Sequence, residues 1–373
     1  MSIPSREADA LIEQSAQRLF GAEVDRACRD RVEAGEFDAR LWRLTVDNGF
    51  SLALAGERAG GIGIDWRGAA PILLGLGQWQ VPLPLAETMI AALLLSAAGL
   101  PVPDGPIVLI EQGADNDVTF SGHGAALRLH GHAPHVAWAR HATALLVSLA
   151  DGRLALVDLR ERRAIELDPR TDHAMMPADT LRFDGAPCVA LAPNPLALAQ
   201  PVWHLGALAR SLMMVGALES ALQQAVRYAG ERVQFGRPIG KNQALQQQLA
   251  LMAGDAAAAR MAALVAAQDA PSAPQPDAPA APFSIAAAKV RCGEAATRAT
   301  AIAHQVHGAI GFTREHALHF ATRRLWAWRE QFGSDAHWAE RLGRQAIAAG
   351  SSAFWASLTQ RQFARTAGQS ASA

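Results

Sequence analysis

Cysteine is scarce in this chain, charge is scarce, and neither sign of charge prevails. Among 373 residues there are three cysteines, Cys28, Cys188 and Cys292, far apart and without the pairing of a metal site. No metal ligand set is expected, and free thiols suit a reducing cytoplasm. Only 18% of residues are charged and the formal net charge is −1. Nothing electrostatic therefore argues for nucleic acid or for an anionic membrane surface as a partner. The opening stretch MSIPSREADALIEQSAQRLF carries acidic residues where a secretory signal is basic and then apolar. The most apolar run, near residues 89–100, is too short to span a bilayer. The expectation is a cytoplasmic chain.

What is present is alanine and helical periodicity. Half the residues are hydrophobic, and the length suffices for two or three domains around a large core. Residues 6–20 and 37–48 space their apolar side chains three or four apart, and residues 86–98 are apolar nearly all round, which predicts a buried helix. Residues 60–63 and 81–85 read as loops. From residue 106 the pattern changes to short apolar runs separated by turns: 107–111, 126–130, 144–149, 154–158 and 180–183. Ala150-Asp151-Gly152 reads as a hairpin turn. Helical periodicity returns with 202–232, 243–268, 285–307, a helix from about 315 past 328, and 336–349. The Pro/Ala segment 269–282 cannot continue a helix and reads as a mobile loop; residues 366–373 look disordered. The reading is an α+β chain: a helical domain over 1–105, a small β-barrel or sandwich over 106–194, and a four-helix bundle with additions over 195–373.

Two segments carry the chemistry. One is Tyr228-Ala-Gly-Glu-Arg-Val-Gln-Phe-Gly-Arg-Pro-Ile-Gly; the other, some seventy residues on, is Gln305-Val-His-Gly-Ala-Ile-Gly-Phe. In this order, between long helices, they resemble the C-terminal domain of acyl-CoA dehydrogenases, and the helical–β–helical order matches that family across the chain. The resemblance implies FAD, gripped by the two segments from different subunits. Arg232 stands where the family contacts the pyrophosphate, Gln234 and Phe235 follow, and Phe235 would pack on the adenosine. Asn242 and Gln243 match a polar pair that touches the dinucleotide. Gln305, Gly308 and Ala309 match a turn whose glycines let backbone approach the phosphates; Ala309 replaces the second glycine. His307 either faces the adenine or is a helix-end histidine bonded to a carbonyl. Arg323 and Arg324 read as surface or interface cations. In the β domain the flavin-side loop corresponds to Ile110-Glu111-Gln112-Gly113-Ala114-Asp115-Asn116-Asp117, a degraded match, and the flavin-side strand to Val136 and Trp138. Trp138 either covers the isoalloxazine or is core.

The reaction implied, α,β-dehydrogenation of an acyl-CoA, needs a base for the proton beside the thioester. The family's Glu position falls on Gly333, after Phe332, and its minority position on Gly206. Asp335 is the nearest replacement, or else an N-cap for the helix that follows. A chain of this kind resembles one subunit of bacterial α2β2 enzymes, in which one chain supplies the base. A homo- or hetero-tetramer with a related subunit, and electron-transferring flavoprotein as acceptor, are what the resemblance implies. A flavin monooxygenase or oxidase on the same scaffold, and a non-catalytic partner subunit, remain alternative readings.

Overall fold

A computed structural model of the chain describes residues 5–274 and 279–362; the expectation of disorder over 366–373 lies outside them. The helices α1 (Ser5–Glu23), α2 (Arg26–Glu33), α3 (Ala39–Asp47), α4 (Trp66–Gln78) and α5 (Leu85–Ala97) come first. Strands β1 (Ile107–Glu111), β2 (Thr119–Ser121), β3 (Arg128–Ala137), β4 (Ala144–Ser148), β5 (Arg153–Asp158), β6 (Ile165–Asp168) and β7 (Ala178–Pro193) follow. Then α6 (Pro201–Glu231) leads into the short hairpin β8 (Val233–Gln234) and β9 (Arg237–Pro238). Helices α7 (Gln243–Asp269), α8 (Ala281–His307), α9 (Leu318–Glu330), α10 (Asp335–Ala349) and α11 (Ser351–Gln360) complete the described chain.

The strands β1 to β7 form one curled sheet in the order β1-β4-β5-β7-β3-β2, with β6 on β7. Among the described residues only β1 and β4 run parallel. The long β7 makes the curl: its first half pairs with β3 and β6, its second half with β5. The pairing of β3 with β7 slips between Ala133 and Val136, leaving Pro134 and His135 as a bulge with His135 at φ +56°. Such a bulge bends the strand and re-aims its side chains. The expected hairpin turn at 150–152 joins β4 to β5, with Gly152 at φ +83°.

One hydrophobic core joins the first helices to α6, α7 and α8 and covers one face of β1, β4 and β5; the other sheet face has its own core around Trp138 and Phe183. The sequence pattern does not reveal α4, because Gly68, Pro71, Gly75 and Gly77 read as breakers. Those glycines are there for packing. A Cβ on Gly77 would stand 1.8 Å from the Met213 carbonyl oxygen, and one on Gly216 would stand 2.0 Å from that of Leu74. The backbones of α4 and α6 therefore touch. Gly77→Ala must push them apart, and we expect it to cost more than about 3 kcal/mol, as overpacking a rigid site does. A melting temperature within a few degrees of wild type would contradict this packing.

Two helices, α6 and α7, are long and apolar enough to cross a membrane by length and composition, contrary to the expectation from residues 89–100 alone. The apolar window of α6 is 83% buried inside the protein, so packing accounts for its composition. Pro282 sits in the first turn of α8, where a missing N–H costs nothing, so that helix starts earlier than the 285 expected.

Candidate functional site

Residue 232 ends α6 and residue 234 ends β8, and the two-residue loop between β8 and β9 is Phe235-Gly236, both at positive φ (51° and 77°). That is the twist a tight hairpin needs. It holds Phe235 fully in solvent, 102% exposed. A large aromatic ring presented this way by a rigid turn costs apolar hydration and points to something that covers it. Arg232 is exposed and forms no ion pair among the described residues. Asn242 caps α7 by accepting from the Ala244 N–H at 3.0 Å.

The end of α8 closes the same space. Gly308 takes φ +63° and ψ −143°, a conformation that L side chains avoid, and turns the chain into the 308–312 segment. Arg232, Gln234, Phe235, Arg237, Asn242, Gln305, Gly308 and Ala309 all line one cavity of about 790 Å³. The two segments thus meet within a single chain, which corrects the expectation that they come from different subunits. Gln243 is exposed beside this cavity and is not among its lining residues. His307 is buried: its Nδ1 lies 2.7 Å from the Ala303 carbonyl and its ring stacks on Tyr228 at 4.6 Å. That is the helix-end histidine of the plainer reading. Its Nε2 is left buried without a partner beside the same cavity, and burial holds the ring below the usual histidine range.

A second cavity, about 430 Å³, lies against the β3 bulge. Val136 lines it, together with Ala133, Pro134 and His135. Trp138 does not: at φ +64° its ring turns into the sheet core, where it lies 6.2 Å from His141. The other walls include Leu109, Ile110 and Glu111 of β1, Ala114, Asp115 and Asn116 of the loop after it, Glu87 of α5, His173 ahead of β7, Trp203 and Arg210 of α6, Glu330 of α9, and the turn after α9, Gln331-Phe332. An adjoining cavity shares Ala114, Asp115, Trp203 and Glu330 with it and is lined also by His337, Arg341 and Arg344 of α10.

The turn 331–334 is fixed from beneath. The Nζ of fully buried Lys289 donates to the carbonyls of Trp328, Arg329 and Gly333 at 3.2, 2.7 and 2.7 Å. Phe332, at φ +55°, lays its ring over Gly206: a Cβ there would come within 2.4 Å of it. Gly333 stands at φ +85°, and a Cβ on it would lie 2.7 Å from the Trp338 Nε1. Neither glycine accepts a side chain without repacking. Asp335 is not a lining residue of this cavity; its Oδ1 lies 3.0 Å from the Arg329 Nε. The N-cap of α10 is Ser334, which accepts from the His337 N–H, so Asp335 fills neither expected role by geometry. Arg323 pairs with Glu33, whereas Arg324 is buried against Trp328 rather than on the surface.

Little in the sequence marks Glu111 as a buried group. Its Oε2 accepts from the Trp203 N–H at 3.0 Å, with further support from the Val202 N–H and the Ser148 side chain. It thereby satisfies the first turn of α6, where a negative group is favoured. Burial still dominates and raises its carboxyl to about 7. The folded pKa lies above the unfolded one, so the folded state binds more protons between pH 4.5 and 7. Stability should therefore fall as pH rises through that window. In Glu111→Gln this part of the pH dependence should disappear; parallel melting curves for variant and wild type from pH 5 to 8 would contradict it.

Known proteins share this fold. The family model for "Acyl-CoA dehydrogenase, C-terminal domain" matches residues 196–347. Acyl-CoA dehydrogenase IpdE2 of Mycobacterium tuberculosis is 31% identical over 296 residues, covering 77% of this chain and 80% of that protein. Acyl-CoA dehydrogenase FadE27 of the same organism is 28% identical over 316 residues, covering 78% and 83%. The chain belongs to the acyl-CoA dehydrogenase family. Among solved structures, the ChsE4-ChsE5 complex of Mycobacterium tuberculosis superposes with a TM-score of 0.80 at 23% identity over 93% of this chain and 98% of that one. Butyryl-CoA dehydrogenase of Megasphaera elsdenii gives 0.80 at 17%, over 93% and 100%. A variant of the steroid acyl-CoA dehydrogenase Tcur3481-Tcur3483 gives 0.81 at 25%, over 94% and 100%.

Proposed function

We propose that this chain binds FAD and serves the α,β-dehydrogenation of an acyl-CoA thioester as one subunit of a hetero-oligomeric acyl-CoA dehydrogenase. The observation that carries the cofactor is the cavity ringed by Arg232, Gln234, the exposed Phe235, Asn242, Gln305 and the glycine-turned end of α8. A dinucleotide fits this donor set: an unpaired guanidinium for the pyrophosphate, backbone that can approach closely at Gly308, and an uncovered ring for the adenosine. When bound, FAD supplies the hydride acceptor. Val136 and the bulge beside it would face the flavin ring. The two cavities share no lining residue, which favours a flavin held between the C-terminal cradle of one chain and the β3 wall of another.

The cavity beside β3 would take the acyl group, with His337, Arg341 and Arg344 of the adjoining cavity suited to the phosphates of CoA. The proton beside the thioester carbonyl needs a base, and the two positions where the family carries one are Gly206 and Gly333, both closed to a side chain by Phe332 and Trp338. That supports a related partner chain as the source of the carboxylate, with electrons passing on to electron-transferring flavoprotein. The ChsE4-ChsE5 neighbour is a complex of two differently named chains. A second reading, a self-sufficient chain, draws on Glu111: it lines the cavity, it has no cation partner among the described residues, and its carboxyl stands near 7. Anaerobic titration with acyl-CoAs separates the two. Flavin bleaching that requires a second co-purifying chain supports the heteromer; bleaching by this chain alone, lost in Glu111→Gln, supports the second reading.

A further inference from the structure

The wall of the cavity beside β3 carries a complete ion pair. Arg210 on α6 and Glu87 on α5 are 123 residues apart in sequence, and their side chains are 3% and 4% exposed. The Arg210 Nη2 donates to Glu87 Oε1, its Nε donates to Gln331 Oε1 at 2.6 Å, and its Nη1 approaches the Met213 sulfur at 3.3 Å. The guanidinium lies 5.4 Å from the centre of the Phe332 ring. Gln331 is held in turn by Asp172 at 3.3 Å. Glu87, Arg210, Gln331 and Phe332 all line the cavity, whose remaining wall mixes apolar residues such as Leu109 and Val136 with polar ones, Glu111 and Asp115 among them.

A buried ion pair contributes little to stability; well-packed apolar residues in its place are often neutral or better. Saturated hydrocarbon is also the wrong occupant for a wall of this kind, because it leaves charged groups dehydrated without new partners. Arginine has five N–H donors, and three are engaged here, so two remain for a ligand. Glu87 balances the charge. A ligand carboxylate would bring an uncompensated negative charge into this buried site, whereas a neutral oxygen would not.

We infer that the acyl group accepted by this cavity carries a neutral oxygen, a ketone or hydroxyl remote from the thioester, that accepts a hydrogen bond from Arg210. The inference rests on the reading of this cavity as the acyl site. Glu87 and Gln331 hold the guanidinium fork in place, so Arg210 determines specificity and the other two position it.

The test is isothermal titration of the assembly as purified with three CoA thioesters of equal chain length: octanoyl-CoA, 7-oxooctanoyl-CoA and suberyl-CoA. The oxo compound should bind about tenfold or more tighter than octanoyl-CoA, in line with one satisfied hydrogen bond to a charged donor, and suberyl-CoA should bind most weakly. The double variant Glu87→Leu/Arg210→Met, which removes both charges together, should bring octanoyl-CoA level with or ahead of the oxo compound. Arg210→Lys keeps the charge and loses the fork, and should shrink the preference if the double variant does not fold. Equal affinity for octanoyl and oxo compounds, or tightest binding of suberyl-CoA, overturns the inference and leaves the acyl-CoA reading standing. No binding of any of the three overturns both.

Discussion

On the proposed FAD reading, Arg232→Ala should release the cofactor. The purified variant should retain less than about a tenth of the FAD held by wild type, because a charge-assisted contact to pyrophosphate contributes about 1.5–3 kcal/mol, a factor of ten to a hundred. The fold itself should be untouched: the Arg232 side chain is exposed and forms no ion pair among the described residues. Melting of the apo chain is thus the control, and it should match wild type within a degree or two. Gln305→Ala, from the facing segment, should lower retention in the same direction by less, since a neutral amide is being removed rather than a charge. FAD retention unchanged in both variants would mean that the cavity between α6, the β8–β9 hairpin and α8 does not hold the dinucleotide.

The second large effect concerns the base. If a related chain supplies the base as proposed, this chain alone with FAD should turn over acyl-CoA about 10²–10⁴-fold more slowly than the assembly, the contribution usual for a general base. Restoring a carboxylate at the family's position should not rescue it. Gly333→Glu asks a glutamate to adopt φ +85° and to place its Cβ against the Trp338 indole, so the expected result is a lower melting temperature and no gain in rate. A Gly333→Glu chain that folds as wild type does and bleaches its flavin unaided would show that the turn has more room than Phe332, Lys289 and Trp338 leave it. The same rate measurement bears on Asp335: tied to Arg329 outside the cavity wall, it should be replaceable by Asn without effect.

Much of this was legible in the sequence, for identifiable reasons. The long helices α6, α7 and α8 stand out because an uninterrupted run of small and apolar residues admits no other element, and the cradle residues at 232–242 and 305–309 stand out because their spacing is a pattern rather than a composition. The helix α4 was hidden by its own glycines, of which Gly77 serves the close approach to α6 and Gly75 the packing on Phe20 rather than a turn. The start of β3 was legible and its extent was not, because the bulge at Pro134-His135 breaks alternation where the strand bends toward the cavity. Trp138 could have been flavin cover or core on sequence grounds; its left-handed backbone decides for core. The ion pair of Arg210 and Glu87 left no sign at all. Glu87 is the one charge of α5 and Arg210 stands in an apolar stretch of α6, and only the packing of α5 against α6 shows that they neutralise one another inside a cavity. Glu111 was visible only as part of a worn loop motif, since its burial depends on where the first turn of α6 arrives.

The most direct test of a flavin shared between two unlike chains is the flavin content of the native assembly, measured as FAD per chain by absorbance after denaturation, with the subunits identified by mass. We expect this chain together with a second, related chain, and one FAD for each such pair. One FAD per chain in an assembly containing this chain alone, active on acyl-CoA, would contradict it.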